Sequence, residues 1–488
     1  MGRIFHCVKP ITVMCVCALL IGIFIPLHAQ WQNSEVDTLT NTQIRKETEI
    51  QSLDIDNLDF VHLVFKHDAA VGWGIYYITN SPAGTWQAPE LVNDTDQVCY
   101  SPALAVSPLN DEPYITYEDD SEICFAYPSS SGWQQHMVTS DDRMDCYTTI
   151  AIDGAGRVHL AWITEDSLTL DYKIAYAIGD SIDWEVQILF GSELGPYGTG
   201  AVPYIAVTED GIAHIVYRGG DYGDYHIHHA WNDTVGGSSW NYEIIMSGNV
   251  NDFSATLVVD DNDDLHLAMG GNDGWGFPGR VYYRYQPHGQ NWQAYELASL
   301  TRSAVEPSIA LDADKAPQII WMETSGNFFT GYVYYSHQNT VGQWQVAYVI
   351  GDDHFTPSFK IDSGDYGHIA CHSGGNTGNY DIFHVTSSDP LTSIKEYSNG
   401  TIPRRSLYHY PEPVTGSATF SYSIPTDAFV TLRIFNSLGQ EVATFVNRVQ
   451  PAGDHQEQWN ITDLTSGIYF YSLDAGEYSA TAKMIIVR

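Results

Sequence analysis

Basic residues are scarce in this sequence. Its 488 residues include 21 Lys and Arg against 60 Asp and Glu, which gives a formal net charge of −39 at pH 7. A surface of this sign repels phosphate backbones and anionic lipid headgroups. The composition therefore argues against nucleic acid or a membrane surface as a partner, and is compatible with divalent cations or simply with solubility.

Long apolar runs are absent after residue 29. In the segment 1–29, Arg3 and Lys9 precede an apolar stretch that ends at Leu27, and the small residue Ala29 follows. A basic start, an apolar centre and a small-residue end are typical of a cleavable secretory signal. We therefore expect an exported chain with no membrane insertion after the signal is removed.

Cysteine is also rare. Three of the seven Cys fall within 1–29. Cys99 and Cys146 each precede a Tyr at nearly equivalent places of a repeat, so a disulfide between them is one alternative and two free thiols the other. Cys124 and Cys371 lie within strand patterns, where we expect buried free thiols.

What the sequence does contain is a repeat of about 50 residues between 50 and 389. Each copy has a short apolar strand, an acidic turn, a second strand with a central polar residue, and an aromatic third strand. A fourth strand begins with Trp in six copies. Four short strands at this period are typical of one blade of a β-propeller. We predict an all-β fold with a seven-bladed propeller over residues 30–389.

The seventh copy stops at Asp389 before its Trp strand. The segment that begins at Trp31-Gln32 resembles the segment that begins at Trp86-Gln87. An N-terminal strand that completes the last blade would close the ring and remove exposed sheet edges. We therefore expect the strand at Trp31 to lie in the seventh blade.

A His recurs at one place in five of the seven second strands: His62, His159, His214, His266 and His368. Tyr114 and Gln318 fill the other two places, which favours a packed repeat residue over a metal ligand. We expect no metal site there. The acidic turns, such as 260–264 and 362–365, are predicted to be hairpin turns, with a structural Ca²⁺ as the alternative.

The composition changes after Asp389. Residues 390–404 are polar and are interpreted as a linker, and 405–488 alternate apolar and polar residues between glycines. This alternation predicts half-buried strands, and we expect a small Ig-like β-sandwich there.

Several short motifs occur together in this last segment: Tyr410-Pro411-x-Pro413, Ile434-Phe435-Asn436, Ala452-Gly453-x-His455 and Ser466-Gly467-Ile468-Tyr469. As a set they resemble the type A C-terminal sorting domain of the type IX secretion system. The resemblance implies export to the cell exterior or outer surface, with residues 405–488 contacting the secretion machinery. More loosely, the repeats resemble sialidase-like propellers.

The hypothesis that the protein is an enzyme requires a charged site at the propeller face. The Ser-x-Asp-x-Gly-x-x-Trp turn of sialidases is absent, and the arginines are scattered. A polysaccharide lyase needs a cation for the uronate and a Tyr or His base. Arg218, Tyr222 and His226 in one Gly-rich segment are the candidates, with Arg280 and Arg284 weaker ones. A glycosidase needs two facing carboxylates, and no pair can be singled out.

The hypothesis that the protein binds a ligand without catalysis requires only exposed aromatic rings. Trp73 and Trp275 lie between glycines in loops that follow second strands, outside the Trp place of the repeat. Phe328 and Phe329 occupy the corresponding loop of the sixth copy. Such rings stack on sugars or pack against proteins. We therefore predict a glycan- or protein-binding propeller without catalysis, and a polysaccharide lyase or glycosidase as the alternative.

Overall fold

The computed structural model describes 31–36, 46–47, 51–69, 72–81, 85–93, 99–165, 172–180, 182–189, 202–221, 224–247, 254–272, 279–299, 304–324, 331–338, 342–350, 354–373, 381–388, 390–391, 407–410, 414, 417–424, 428–436, 440–451, 453–460, 464–475 and 478–486. The expected signal, 1–29, and the predicted linker beyond residue 391 lie outside these ranges. Within the ranges, no helix has the length and apolar character needed to span a membrane.

The regular elements of the described residues are β-strands, as predicted. Up to residue 391 they are β1 (Trp31–Glu35), β2 (Lys46–Glu47), β3 (Leu53–Ile55), β4 (Val61–Ala69), β5 (Gly72–Thr79), β6 (Glu90–Leu91), β7 (Cys99–Val106), β8 (Pro113–Asp119), β9 (Glu122–Ser129), β10 (Gly132–Met137), β11 (Met144–Ile152), β12 (Val158–Glu165), β13 (Tyr172–Gly179), β14 (Trp184–Ile188), β15 (Tyr204–Val207), β16 (Ala213–Asp221), β17 (Asp224–Asn232), β18 (Trp240–Ser247), β19 (Ser254–Val259), β20 (Leu265–Asn272), β21 (Gly279–Gln286), β22 (Glu296–Ser299), β23 (Ala304–Leu311), β24 (Pro317–Thr324), β25 (Gly331–Gln338), β26 (Trp344–Ile350), β27 (His354–Ile361), β28 (Gly367–Ser373) and β29 (Ile382–Ser387).

In the described part of the chain up to residue 391, these strands form seven antiparallel sheets. The first sheet contains β2–β6, and the next five contain β7–β10, β11–β14, β15–β18, β19–β22 and β23–β26. The seventh contains β27, β28 and β29 together with β1, where Trp31 lies opposite Ser387. The predicted pairing of the N-terminal strand with the last sheet is therefore confirmed.

The sheets follow one another in a closed cycle. The first strands β3, β7, β11, β15, β19, β23 and β27 each contact the first strand of the next sheet, and β27 contacts β3. The arrangement is β-propeller-like, with the first strands around the centre and the Trp strands outermost.

The recurring His is a packed residue of the repeat, as the sequence predicts. In the third sheet, Nε2 of His159 lies 3.2 Å from Oδ2 of Asp153, and Nδ1 lies 2.8 Å from the hydroxyl of Tyr176. The Asp153 carboxylate also accepts the backbone N–H groups of Ala155 and Arg157, which shapes the acidic hairpin turn. The turn, the His and the third-strand aromatic are thus one hydrogen-bonded unit.

The Trp at or shortly before the start of each fourth strand packs against the core ring of the preceding sheet. Ring centroids are 5.0–5.7 Å apart in these contacts, and most are edge-on, a favourable geometry for aromatic pairs. The pairs are Trp133–Tyr77, Trp184–Phe125, Trp240–Tyr176, Trp292–His229, Trp344–Tyr283, Trp31–Tyr335 and Trp86–His384. Trp31 therefore takes the place of the Trp that the seventh copy lacks.

The disulfide alternative is not realised in this structure. Cys99 and Cys146 are free and buried, as are Cys124 and Cys371. The Sγ of Cys99 accepts a hydrogen bond from Asn93 at 3.1 Å. Cys99 packs between the first and second sheets and Cys146 between the third and fourth, so their side chains belong to different hydrophobic clusters.

Residues 407–486 form a separate pair of sheets. The strands are β30 (Leu407–Tyr410), β31 (Ser417–Ile424), β32 (Ala428–Asn436), β33 (Glu441–Gln450), β34 (Gly453–Asn460), β35 (Gly467–Ala475) and β36 (Tyr478–Ile486). One sheet has the order β30-β31-β34 and the other β33-β32-β35-β36. Phe420, Leu432 and Tyr471 are buried between them and supply much of the core of this domain.

Candidate functional site

We call the end of the sheets where second strands end and third strands begin the loop face. First strands also begin there, because neighbouring strands are antiparallel. Trp73 begins the third strand β5 at this face, opposite Asp68, and its side chain lies outside the described residues. The other predicted residues of the connections at this face that lie wholly outside the described residues are Tyr222, Trp275, Phe328 and Phe329.

Arg218 and His226 lie on opposite faces of the fourth sheet. Arg218 lies opposite Ile227 in the β16–β17 pair, whereas His226 lies opposite Gly219. Paired residues point to the same side of a sheet and adjacent residues to opposite sides. The two candidate side chains therefore leave opposite faces of the fourth sheet, and Tyr222, the third residue of the predicted group, lies outside the described residues.

The neighbouring histidines are core residues. His229 is buried, and its ring nitrogens lie 3.0 Å from His214 and 3.0 Å from Glu243. His228 stacks on Tyr217 with ring centroids 5.2 Å apart. Burial lowers the pKa of His228 to about 4, so its ring is neutral at neutral pH. These contacts explain both residues as substitutions within the blade core.

Arg284 has a structural role as well. Its guanidinium donates to the backbone oxygens of Gln293 at 2.8 Å and Ile245 at 2.5 Å. It thereby links the fourth sheet to the fifth, away from the loop face.

A cavity of about 110 Å³ lies where the first strands converge near the loop face. That volume corresponds to roughly four waters at about 30 Å³ each. Its wall consists of residues from the starts of several first strands: Gln51, Ser101, Pro102, Ala103, Tyr147, Thr148, Thr149, Val202, Glu306 and Thr356. Hydroxyl, amide and carboxyl groups from different sheets thus meet at one place on the ring axis.

Four residues of this wall have left-handed backbones. The φ angles are +49° for Ser101, +57° for Tyr147, +52° for Glu306 and +48° for Thr356. Each lies at a bulge in its first strand, where the pairing with the second strand shifts. Such conformations cost about 1–3 kcal/mol each outside glycine and concentrate at functional sites. The bulges turn these four residues toward the cavity.

A second group of polar residues adjoins the cavity, and we call it the Lys66 cluster: Lys66, Tyr100, Glu118, Asp145 and Tyr147. Lys66 is only 7% exposed, and its Nζ lies 5.0 Å from the ring centroid of Tyr100. Tyr100 lies opposite Glu118 in the second sheet. Three neighbouring sheets thereby bring together a cation, two carboxyl groups and the ring of Tyr100, with the backbone N–H of Tyr147 beside Glu118.

Burial raises the pKa of Glu118 to about 7. The charge of Lys66 and the backbone N–H of Tyr147 lower it, and the nearby Asp145 carboxyl raises it further. Burial also raises the pKa of Asp145. A carboxyl that titrates near neutral pH beside a buried cation is suited to exchanging a proton or a hydrogen bond with a ligand.

Glu306 is the carboxyl group of the cavity itself. Its backbone N–H donates to the hydroxyl of Ser254 at 2.9 Å, and burial raises the pKa of its side chain. Its Oε2 is enclosed and has no hydrogen-bond partner within the described ranges. Burial therefore favours the neutral form of this carboxyl.

Sequence reasoning missed the Lys66 cluster, although one signal was available. Lys66 is a charged residue directly after the apolar run Leu63–Phe65 of a second strand, in a chain with few basic residues. Glu118 likewise lies within a second strand, β8, next to the buried Tyr117. Among the described residues, no three His, Cys, Asp or Glu side chains are grouped so as to hold a metal ion.

Comparison with known families accounts for the end of the chain. The family described as "Secretion system C-terminal sorting domain" matches residues 408–487, which span the two sheets from β30 to β36. These residues are a type IX secretion sorting domain. The protein is therefore one that is exported to the cell surface or the extracellular space, as its motifs predicted. No curated protein matches the chain.

About three quarters of the chain is similar in fold to a solved glycan-active enzyme. A polysaccharide lyase, an ulvan lyase of a new family, aligns with a TM-score of 0.51 and 12% identity over 74% of this chain and 99% of its own. A protein of unknown function from Dyadobacter fermentans aligns at 0.44 and 9% identity, over 73% and 99%. The α-L-arabinofuranosidase arb93a from Fusarium graminearum aligns at 0.42 and 13%, over 60% and 94%. At these identities the likeness concerns the fold alone, and only the first score supports it.

Proposed function

We propose that residues 30–389 form a seven-bladed β-propeller and 405–488 an Ig-like sandwich, with a signal peptide at 1–29 and a linker at 390–404. The seven sheets in a closed cycle and the seven Trp contacts support the propeller. The two packed sheets of the sorting domain support the sandwich.

We infer that this exported propeller binds a polysaccharide at the loop face. The observation that carries the proposal is the meeting of the cavity and the Lys66 cluster at that face. Hydroxyl, amide and carboxyl groups suit sugar hydroxyls, and Tyr100, whose side chain is 38% exposed, offers a ring for stacking. Trp73, Trp275, Phe328 and Phe329 remain the predicted aromatic contacts of the surrounding connections.

The test is retention of the purified exported protein on immobilised neutral and uronate polysaccharides. We expect retention that falls when Tyr100 is replaced by Ala and that is unaffected by Tyr295→Ala, an exposed Tyr directly before the fourth strand of the fifth sheet. Equal loss with both variants, or retention only on an immobilised protein, would contradict the proposal.

A polysaccharide lyase is the second candidate, and the pKa of Glu118 near 7 favours it. In such a reaction the Lys66 ammonium would pair with the uronate carboxylate, and ionised Glu118 would take the C5 proton. The electron pair of the C–H bond forms the C4–C5 double bond, and the C4–O bond breaks. The leaving oxygen then receives a proton from the carboxyl.

The two candidates differ in one readout. Ultraviolet absorbance of an unsaturated uronate, appearing with the exported protein and lost with Glu118→Gln, would make the protein a lyase. Retention without new chain ends would leave it a binding protein. In that case Glu118→Gln should change the affinity and its pH dependence but release no product.

A further inference from the structure

A groove lies on the outer rim between the third and fourth sheets. Its lining strands are the outermost strands of those two sheets. Its volume is about 360 Å³, within the range of small-molecule sites. It is lined by Gln187 and Ile188 of β14, by Ser238, and by Trp240 and Tyr242 of β18. Because the fourth strands are outermost, this groove is separate from the cavity at the loop face.

The repeat explains only part of this groove. Trp240 has the common place at the start of a fourth strand and packs on Tyr176. Tyr242 lies opposite Ala230, at a place that Gln135, Val186 and Val346 occupy in the second, third and sixth sheets. An aromatic residue at this place is therefore a feature of the fourth sheet and not a requirement of the blade.

A long, fixed connection forms the wall. Residues 233–239 join β17 to β18, compared with 180–183 at the equivalent place in the third sheet. Gly236 has a φ of +62°, and a Cβ there would lie 3.3 Å from Ile178 of the third sheet. The backbone oxygen of Gly236 accepts a hydrogen bond from Nε2 of Gln187 at 2.9 Å. The connection is thus tied to the opposite side of the groove.

The polar and aromatic side chains that line the groove indicate which class of ligand it can bind. Oε1 of Gln187 accepts the indole N–H of Trp240 at 3.0 Å, which fixes the amide at the groove wall. Amide and hydroxyl groups beside two aromatic rings suit a sugar, whose hydroxyls form hydrogen bonds and whose C–H face stacks on a ring. Glu185 and Asp233, both exposed near the groove, disfavour an anionic ligand.

We propose that this rim groove is a binding site for a neutral oligosaccharide, with Tyr242 as the stacking ring and Gln187 and Ser238 as hydrogen-bonding groups. It goes beyond the function proposed for the loop face and does not depend on it. A glycan chain held at both places would gain affinity through effective concentration, without any additional contact.

The test is calorimetry of the exported protein with short neutral oligosaccharides, namely cellohexaose, xylohexaose and laminarihexaose, and with a uronate hexamer as the anionic probe. We expect at least one neutral hexamer to bind and the uronate to bind much more weakly at this site. Tyr242→Ala should weaken binding roughly tenfold. Ser238→Trp, which fills the groove from an exposed place, should abolish binding without loss of folding.

Two control variants separate this site from its alternatives. Val346→Ala changes the register-equivalent residue of the sixth sheet and should leave affinity unchanged. Tyr100→Ala affects only the loop face, so binding that survives it but not Ser238→Trp belongs to the groove. Binding lost with Tyr100→Ala and retained with Ser238→Trp would overturn the inference, as would saturable binding of peptides in place of all sugars.

Discussion

The indole Nε1 of Trp344 donates a hydrogen bond to Oε2 of Glu296 at 2.8 Å, across the boundary between the sixth and fifth sheets. Glu296 lies opposite Tyr283, the core ring of its sheet. Trp133, Trp240 and Trp292 donate in the same way to the residue opposite the core ring of the preceding sheet: Glu90, Gln187 and Glu243. In these four cases the Trp contact between neighbouring sheets therefore combines a hydrogen bond of the indole N–H with an aromatic ring contact.

Trp31 lacks this partner, which gives a stabilising substitution. The residue opposite Tyr335 is Ala347, and the buried Nε1 of Trp31 has no acceptor among the described residues. Ala347→Gln should supply one, as Gln187 does for Trp240, and raise the free energy of unfolding by about 1 kcal/mol. Denaturant titration measures the gain. It should vanish when Trp31 is also replaced by Phe, and a gain that persists there would have another origin.

Acid should destabilise the seventh sheet. Nδ1 of His368 lies 3.0 Å from Nε2 of His384, where the first, third and fifth sheets pair His with Tyr. Burial, and then the charge of His368, lower the pKa of His384 from 6.5 to about 3. Below pH 6.5 the unfolded chain binds a proton that the folded chain does not, so stability is lost as the pH falls from 6.5 toward 3, by about 1.4 kcal/mol per pH unit.

The matched variant is His384→Tyr, which restores the His–Tyr pair seen at Tyr176. Its unfolding free energy should fall less between pH 7 and pH 5 than that of the parent protein. Equal pH slopes in the two proteins would show that His384 is not the group responsible.

The thiols should be unreactive in the folded protein. Burial raises the pKa of Cys99, Cys146 and Cys371 to about 12, so little thiolate forms at neutral pH. We expect an aromatic disulfide reagent to modify no thiol in the folded exported chain and four after unfolding without reductant. A result of two after unfolding would mean that a disulfide forms on export.

Lys66 should control the titration of Glu118. Its charge lowers the pKa of Glu118, so Lys66→Met should raise that pKa above about 7. A ¹³C NMR titration of the Glu carboxyl carbons measures the shift. Lys315→Met is the control, because Lys315 lies at the turn end of the ring, 3.8 Å from Asp260. A shift in both variants would indicate a general charge effect.

Gln51 should be important for stability. Its side-chain amide donates to the backbone oxygen of Ile150 at 2.6 Å and accepts the backbone N–H of Ile150 at 2.9 Å. It thus connects the strands at the centre of the first and third sheets. Gln51→Ala removes both bonds and leaves buried backbone groups, so a loss of about 2–4 kcal/mol is expected in thermal unfolding. A loss below 0.5 kcal/mol, roughly the change for an average surface substitution, would contradict this role.

The repeat made much of the fold predictable, because each copy has the same order of strands and turns. Alternation and acidic turns indicated the strands, and the missing Trp of the last copy indicated where Trp31 pairs. The site was harder to predict. Whether Arg218 and His226 share a face depends on the register across a hairpin, and a shift by one residue reverses the answer.

The Lys66 cluster shows a second limit. Lys66 and Glu118 lie on different sheets and far apart in the chain. The bulge at Ser101 shifts the pairing register next to Tyr100, their neighbour. Such proximity follows from how blades are rotated about the axis, which no local pattern records. The four residues with left-handed backbones around the cavity could not be predicted from the sequence either, because none of them is a glycine.

From the pairing of β1 with β29 we also expect a particular order of assembly. Trp31 and Ser387 meet across nearly the whole length of the ring, so this is the most non-local contact of the propeller-like part. Contacts of this kind form late, since the entropy of closing a long loop must be overcome first. A chain that emerges N-terminus first therefore has an open seam until its last ring strand has been synthesised. The ring can close only when its synthesis is complete, and until then the unpaired edge of β1 is open to pairing with other chains.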